Sequence, residues 1–408
     1  MSAAPEVGYS EWKPRYLRVV LTFGALMAIT PLTIDMYLPG VPALVTELGA
    51  STSQGAATVS GMLIGMSVGQ ILVGPLVDAW GRHRPIMVGL VLHALLSVAI
   101  AFAPTIEILL ALRVVQGLVG AMLTVTVTAS VRDLYSGRKA AALFSQLMLV
   151  LGVAPILAPA LGSLVLQFTS WRGIFVVLAV ITALLFLLTV FGVRETLPRH
   201  RRRTAGLKSS LSTYWLLLRD PAYVAMLVVG AMTSAATFTY IAASPFIFQG
   251  IFGLSEGSYA LIFGINASVT ILMVQLNPVM LRRFNPGPIM AVALVLALVT
   301  STILTVTSQL RVGGVLMLAA MVALTNGFSA LAVPNAQAVA LHRHGAHAGS
   351  AAALMGTARF AIAGFAGPVV GFFLRDTPAP LGVMMALAHV IALVALGLSW
   401  KAVNAEQY

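Results

Sequence analysis

Long apolar runs separated by short polar segments occupy almost the whole chain. Twelve of these runs approach the length of about 20 residues that a helix needs to cross a hydrocarbon core of ~30 Å. Apolar and polar positions do not alternate within the runs, so the pattern argues against membrane β-strands. It predicts an all-α membrane protein with twelve transmembrane helices. These helices lie near residues 18–39, 56–77, 85–103, 106–131, 140–166, 172–193, 222–249, 257–281, 288–308, 312–340, 348–374 and 379–400.

Composition narrows the class of protein further. Of the 408 residues, 59% are hydrophobic and only 9% are charged, whereas a soluble domain carries about 25% charged residues. The sequence therefore excludes an ordinary cytosolic enzyme, a nucleic-acid-binding domain and a disordered chain. It contains no cysteine, which excludes disulfides, thiolate zinc sites and iron–sulfur clusters. No cleavage pattern of a signal peptide follows the first polar stretch, so we expect the first helix to be retained.

Basic residues are distributed unevenly along the chain. If every run crosses the membrane, 19 of the 24 Lys and Arg residues lie on the side of the N-terminus, three lie on the opposite side and two lie within runs. The positive-inside rule then predicts that both termini are cytoplasmic. Membrane orientation and contact with anionic lipid headgroups account for the net charge of +12, so no nucleic-acid partner is expected.

The longest polar segment divides the runs into two sets of six. Residues 74–92 and 277–295 share a proline and a Pro-Ile-Met triplet at a constant offset of 203 residues, which indicates an internal repeat. Two parallel six-helix halves around a central cavity are a known transporter plan. The predicted parts are a cytoplasmic tail 1–17, an N-terminal half 18–193, a cytoplasmic linker 194–221, a C-terminal half 222–402 and a tail 403–408.

Two motifs resemble signatures of the major facilitator superfamily. Residues 74–85, GPLVDAWGRHRP, are similar to its G-x-x-x-D-R-x-G-R-R/K motif, with Ala79 where a basic residue is usual. Residues 113–117, RVVQG, resemble its R-x-x-Q-G motif in the fourth helix. Both motifs occur at the helix positions that the superfamily would require.

Three other segments resemble the Bcr/CflA branch of drug–proton antiporters. They are DMYLP at residues 35–39, APILAPALG at 154–162 and WRGIF at 171–175, and Ser163 stands where the antiporter motif has a second glycine. The resemblance implies a twelve-helix secondary transporter with both termini in the cytoplasm. It also implies export of drug-like compounds in exchange for protons.

Asp35 is the one carboxylate that the pattern places inside a predicted helix. A membrane-buried acid costs about 2.5–3.5 kcal/mol on insertion scales, so Asp35 is a functional candidate. Burial favours its neutral form and a nearby cation favours its charged form, so it can exchange a proton when its surroundings change. Arg113 is predicted at a matching depth, and we assign proton coupling to Asp35 and Arg113. The alternatives are a helix-end acid at the outer headgroups and a purely structural ion pair.

Tyr37, Gln116 and Arg359 are candidates for substrate binding. Tyr37 offers a ring and a hydroxyl, or else belongs to an interfacial aromatic belt. Gln116 lies on the same helical face as Arg113 and either extends its polar patch or bonds a neighbouring helix. Arg359 lies near the middle of the eleventh helix with no acid in the helices of its half. It should face an aqueous cavity or an anionic substrate group, unless it snorkels or binds backbone carbonyls.

The loop between the second and third helices is assigned to conformational gating. Asp78 is placed to attract the positive end of the eleventh helix across the two halves, and the resemblance implies that this contact closes the cytoplasmic side. Gly81, Arg82 and Arg84 belong to the same motif and receive the same role.

The fifth helix is the second gating element. Pro155 and Pro159 remove backbone donors and should bend it, while Gly162 allows a neighbouring helix to pack closely. A helix of this kind can seal against its counterpart and rock, and a static kink is the alternative.

The histidines receive structural interpretations. His93 and His389 are predicted to form hydrogen bonds between helices. His342, His344 and His347 resemble a metal-binding run, but no carboxylate accompanies them, so we predict a solvated loop and no metal site.

The sequence therefore predicts a proton-coupled exporter of amphipathic drug-like small molecules in the bacterial inner membrane. It is expected to act as a monomer without a cofactor. No nucleotide-binding loop and no nucleophile–base set occurs, which argues against an ATP-driven pump and a membrane enzyme. A proton symporter that imports a small metabolite and a non-transport membrane sensor remain as alternatives. A sensor should carry a sizeable soluble domain, and the longest loop has about 26 residues.

Overall fold

The computed structural model describes residues 10, 12, 14–202 and 207–404, and these residues contain no β-strand. Twelve of its helices are long and apolar enough to cross a membrane, which confirms the all-α prediction. They are α1 (Tyr16–Asp35), α2 (Thr52–Trp80), α3 (His83–Ala101), α4 (Ile106–Leu134), α5 (Gly137–Leu166), α6 (Trp171–Gly192), α7 (Pro221–Pro245), α8 (Glu256–Met280), α9 (Pro286–Leu310), α10 (Gly314–Arg343), α11 (Ala348–Phe373) and α12 (Ala379–Leu398). Most of the tail 1–17 and of the tail 403–408, as well as Arg203 of the linker, lies outside the described residues.

The first membrane span is longer than the sequence predicted. We expected its end near residue 39, but the span reaches Glu47. Regular α-helix stops at Asp35, a 3-10 turn follows at Leu38–Gly40, and a short helix, Val41–Glu47, completes the span. Prolines at positions 39 and 42 account for the break, because each lacks the amide proton that a continuous helix would use. Asp35 therefore lies deeper below the end of its span than predicted.

The linker contains a helix that the sequence analysis missed. Leu207–Leu218 is helical and precedes α7. Its Tyr214 and Leu217 are buried against α7 and other helices of the second half, whereas Trp215 and Leu216 are exposed. Buried positions three residues apart are typical of an amphipathic helix lying on a surface. The sequence analysis treated the whole segment as a polar linker and did not detect this spacing.

The two halves repeat the same helix pairs. In the first half α1 packs on α5, α2 on α4 and α3 on α6, and in the second half α7 packs on α11, α8 on α10 and α9 on α12. The halves meet where α2 packs on α11 and α5 on α8. This arrangement agrees with the predicted repeat.

The halves are held together more closely at one side of the membrane. We call the side that holds the linker and the α2–α3 connection the linker face, and the opposite side the far face. One apolar cluster near the far face contains residues of both halves, including Leu38, Phe175 and Phe248. Towards the linker face the two largest remaining clusters are separate, one in each half. The structure is therefore closed at the far face.

Hydrogen bonds between α2 and α11 join the two halves, one at the far face and one nearer the middle of the helices. Ser53 Oγ donates to the Pro368 carbonyl at 2.9 Å, and Ser67 Oγ donates to the Thr357 carbonyl at 3.0 Å. The ring of Phe246, just after α7, lies directly against Gly55 of α2.

Candidate functional site

Asp35 is buried at the point where α1 loses its regular helical form. The residue is 3% exposed, and its Oδ1 has no hydrogen-bond partner. A buried polar atom without a partner costs free energy, so such an atom is expected where a proton, a ligand or another conformation supplies the missing interaction. The alternative of an acid in contact with headgroups does not fit this burial.

Arg113 of α4 lies in the same region, and the described residues show no direct ion pair between it and Asp35, so the alternative of a purely structural ion pair does not hold. Its Nε donates to the Thr58 carbonyl at 3.1 Å, and its Nη1 donates to the Thr33 carbonyl at 3.1 Å and to Gln116 Oε1 at 2.9 Å. The guanidinium also lies over the Tyr37 ring, 4.5 Å from its centroid. These acceptors and the ring stabilise the buried cation. Arg113 thus interacts with Asp35 electrostatically without a direct salt bridge.

Tyr37 and Gln116 position Arg113 in this conformation. Both are fully buried, although we predicted them as candidates for contact with substrate. The Tyr37 hydroxyl lies 2.8 Å from Thr58 Oγ1, and since Thr58 already donates to the Gly55 carbonyl, Tyr37 is the donor. The ring packs inside the first half, so the interfacial-belt alternative for Tyr37 does not hold.

Gln116 connects Arg113 to the third helix. Its Oε1 accepts from Arg113, and its Nε2 donates to Ser97 Oγ at 3.0 Å. Gln116 therefore lies in the polar cluster around Arg113 and bonds a neighbouring helix, and its role in substrate binding stays a prediction.

His93 of α3 belongs to the same network. Its Nε2 lies 3.0 Å from Thr33 Oγ1 on α1, and its Nδ1 lies 3.0 Å from Thr182 Oγ1 on α6, which confirms the predicted bonds between helices. Both threonine hydroxyls also donate to carbonyls within their own helices. A neutral ring needs one donor, so one threonine must give up its carbonyl bond. The sequence contained no signal that placed His93 beside Thr33 and thus behind Arg113.

The second half contributes two tyrosines that the sequence analysis missed. Tyr240 of α7 and Tyr259 of α8 are buried, and both interact electrostatically with Asp35. The Tyr259 hydroxyl lies 2.9 Å from Ser244 Oγ, whereas the Tyr240 hydroxyl has no hydrogen-bond partner. Asp35 therefore lies near residues of the second half, and the hydroxyl of Tyr240 is available to form a hydrogen bond.

Arg359 of α11 lies apart from this cluster. Its Nε donates to Ser234 Oγ on α7 at 2.8 Å, and the side chain is only partly buried. Among the described residues it forms no salt bridge with an acid. The placement agrees with the expected position near the middle of the helix, and its role in binding stays a prediction.

The α2–α3 loop is organised around Arg82. Its Nη1 binds Asp78 Oδ1 at 2.7 Å and its Nε binds Asp133 Oδ2 at 2.9 Å. Burial lowers the pKa of Arg82, but the hydrogen bonds and charges of Asp133 and Asp78 outweigh burial and raise the pKa above its usual value. Arg82 is therefore a permanent cation between the ends of α2 and α4.

Gly81 and Glu195 complete this loop. Gly81 has a φ of 90°, and a Cβ at this position would overlap the Glu195 carboxylate. Glu195 Oε1 accepts the Arg82 backbone amide at 2.8 Å. Sequence reasoning assigned no role to Asp133 or Glu195, although each is an acid beside an arginine at the end of a helix. Arg84 is exposed and makes none of these contacts.

Asp78 does not reach α11 in this structure. Its side chain is 50% exposed and pairs with Arg82, four residues later. Among the described residues, no hydrogen bond or ion pair joins Asp78 to the first turn of α11. The gating role of Asp78 therefore stays a prediction.

We expect Asp78→Asn to slow transport by roughly fivefold, because a carboxylate near a helix N-terminus contributes about 1 kcal/mol. The amount of protein in the membrane should stay unchanged, because Arg82 keeps its bond to Asp133. Transport assays and immunoblots of the variant measure the two quantities, with the exposed far-face acid Asp376 changed to Asn as the matched control. Normal transport by Asp78→Asn would contradict the gating role.

The structure shows the predicted close packing of the fifth helix against a neighbouring helix. Gly162 lies so close to α1 that a Cβ would overlap the Met36 carbonyl oxygen. This close approach puts α5 against the break in α1 next to Asp35. Pro155 and Pro159 lie within a continuous helix, Gly137–Leu166, and their role in rocking stays a prediction.

The histidine-rich loop after α10 is less solvated than predicted. His344 Nε2 lies 2.9 Å from Asp220 Oδ2, and Arg343 Nε binds the same oxygen at 3.0 Å. Burial raises the pKa of Asp220, but hydrogen bonds from Arg343, His344 and the Ala222 amide outweigh it and lower the pKa. The cluster joins the ends of α7 and α10. Among the described residues no group of three metal-ligating side chains occurs.

The chain is similar to two bacterial proteins whose names refer to drug resistance. The chain is 29% identical to a bicyclomycin resistance protein homolog of Haemophilus influenzae, over 92% of this chain and 94% of the relative. It is 30% identical to the multidrug resistance protein MdtL of Escherichia coli O157:H7, over 71% of this chain and 73% of the relative. Both names agree with the resemblance to the Bcr/CflA branch. Together with the twelve apolar helices, these bacterial relatives indicate a multi-pass protein of the bacterial inner membrane.

A solved structure supports the fold independently. The crystal structure of a D-xylose–proton symporter superimposes with a TM-score of 0.77 over 95% of this chain and 97% of the other, at 15% sequence identity. At that identity the likeness concerns the fold alone. The family model of the Major Facilitator Superfamily matches residues 23–368, and the chain therefore belongs to the Major Facilitator Superfamily.

Proposed function

We propose that this transporter exports amphipathic drug-like compounds from the cytoplasm in exchange for protons. The observation that carries the proposal is Asp35, a buried carboxylate with an unpartnered oxygen, located between a fixed cation and the second half. A site of this kind changes its proton affinity when the two halves move relative to each other. The names of the relatives, bicyclomycin resistance and multidrug resistance, support drug-like substrates.

Proton coupling would depend on which side of the membrane Asp35 faces. Towards the acidic outer side Asp35 takes up a proton, which weakens its attraction for Arg113 and for a cationic or dipolar substrate. Towards the cytoplasm it releases the proton, and the next substrate binds to the charged form. Tyr37, Gln116 and His93 keep Arg113 in place throughout, so the moving charge is that of Asp35. Protons and the substrate are the only partners that this cycle requires, and a single chain suffices.

The rival function is proton-coupled import of a small metabolite. The xylose–proton symporter shares the fold, and the fold alone does not decide the direction of transport. The apolar and aromatic residues around Asp35 favour a drug-like compound over a sugar, because a sugar needs many hydrogen-bonding groups in its pocket.

A susceptibility panel in an efflux-deficient host tests the proposal. We expect expression of the transporter to raise resistance to several amphipathic compounds and a protonophore to abolish the effect. Resistance that persists with the protonophore would exclude proton coupling. Increased sensitivity to a nutrient analogue, without resistance to any compound, would favour the importer.

Orientation in the membrane is a separate prediction. Reporter fusions at Ser53, Ser255 and Gln309 should read as external, and a fusion at Arg202 should read as cytoplasmic, because the linker face carries most of the basic residues. Alkaline phosphatase and fluorescent protein fusions measure the two outcomes. An external reading at Arg202 would overturn the predicted topology.

Arg359 should determine which compounds are exported. We expect Arg359→Ala to change resistance several-fold for some compounds and to leave others unchanged, because the side chain is partly exposed and lacks an acidic partner among the described residues. Ser234→Ala, which removes only its hydrogen-bond acceptor, is the matched control for local packing. A uniform loss that follows the amount of protein would make Arg359 structural.

A further inference from the structure

A basic pocket opens at the linker face, away from Asp35. It has a volume of about 750 Å³ and lies where α6 ends and the linker begins. Four arginines and two histidines line it, together with the single acid Glu195. The basic residues are His83, Arg84, Arg194, Arg199, His200 and Arg202.

Most of this positive charge is not neutralised within the described structure. Arg84, Arg194 and Arg199 are exposed, and the described residues give none of them an acidic partner. Arg202 binds Glu195 at 3.2 Å, yet its Nε is buried without a hydrogen-bond partner. A planar guanidinium with an unused donor is suited to a phosphate oxygen.

The wall of the pocket on the membrane side is apolar. Val190 and Val193 line it, and Phe191 beside them is 85% exposed. Nearer the middle of α6, Leu184, Leu187 and Leu188 are also exposed. A ligand that fits both surfaces has an anionic head and an acyl chain running along α6.

We propose that the basic pocket binds the phosphate group of an anionic phospholipid from the leaflet at the linker face. The headgroup would contact Arg194, Arg199 and the unused Nε of Arg202, and the acyl chain would lie on α6. Because Glu195 also accepts the Arg82 amide, a lipid that competes for Arg202 acts on the α2–α3 loop. An effect of the lipid on transport rests on the proposed gating role of this loop, whereas binding of the lipid to the pocket does not.

Binding of short-chain lipids to the purified full-length protein tests the site. Dioctanoyl phosphatidylglycerol should bind more tightly than dioctanoyl phosphatidylcholine. Arg194→Gln combined with Arg199→Gln should weaken phosphatidylglycerol binding about 25-fold, at about fivefold for each basic side chain near the membrane surface. Arg282→Gln combined with Arg283→Gln removes two exposed arginines from the same face outside the pocket, and this control should bind normally.

Three results would overturn the proposal. Equal weakening in the pocket variant and the control would mean diffuse surface charge. Equal binding of phosphatidylcholine and phosphatidylglycerol would mean that the net charge of the headgroup does not contribute to binding. Displacement of the lipid by inorganic phosphate at a similar concentration would identify a site for free phosphate instead of a lipid site.

Discussion

Replacing Arg113 by lysine should abolish most of the active transport while leaving the protein in the membrane. Lysine keeps the positive charge, but its single ammonium cannot serve Thr33, Thr58 and Gln116 at once as the guanidinium does. Two charge-assisted hydrogen bonds are worth about 3 kcal/mol, so we expect the transport rate to fall roughly a hundredfold. Rates in vesicles, divided by the amount of protein, give the measurement.

A matched control separates this loss from a general effect of lysine. Arg219 also lies over an aromatic ring, 5.2 Å from the centroid of Trp215, but it lies in the linker outside the membrane spans. Arg219→Lys should transport normally. Full transport by Arg113→Lys would show that charge alone suffices and that the fixed geometry around Tyr37 has no role.

The sequence predicts the fold well because membrane insertion imposes a strong pattern. Twelve apolar runs correspond to twelve helices, most with ends within a few residues of those predicted. Two predictions differ from the structure, one where prolines interrupt a helix and one where a helix is amphipathic instead of uniformly apolar. The first span continues past its prolines to Glu47, and the linker helix at 207–218 has a mixed composition that resembles a loop.

The site is predictable only in part, for a physical reason. A charge in an apolar helix is visible in the sequence, which is why Asp35, Arg113 and Arg359 are found. Carbonyl and amide acceptors are common in membrane helices, and only the packing of helices reveals that the Thr33 and Thr58 carbonyls and the Gln116 side chain surround one arginine.

Contacts between helices that are distant in the chain are even less visible. Tyr240 and Tyr259 approach Asp35 only because the two halves close at the far face. The contact that we predicted between Asp78 and α11 is likewise absent from the described structure, where Asp78 pairs with Arg82.

Asp35→Asn should eliminate proton-driven accumulation without preventing insertion or substrate binding. The amide has nearly the same shape as the carboxylate, so packing at the seam is kept, but it exchanges no proton. The variant should therefore move substrate only down its concentration gradient, with a loss of uphill transport that is complete within detection. Asp376→Asn, an exposed acid at the far face, is the control and should behave as the unchanged protein.

The most direct test uses proteoliposomes with an imposed pH difference and a compound identified by the susceptibility panel. With an acidic interior, the unchanged protein should accumulate the compound inside as protons leave, and a protonophore should collapse the accumulation. Asp35→Asn should show no accumulation but should still equilibrate the compound across the membrane. Accumulation that instead requires an acidic exterior would indicate symport, and uphill accumulation by Asp35→Asn would contradict the assignment of Asp35 as the coupling residue.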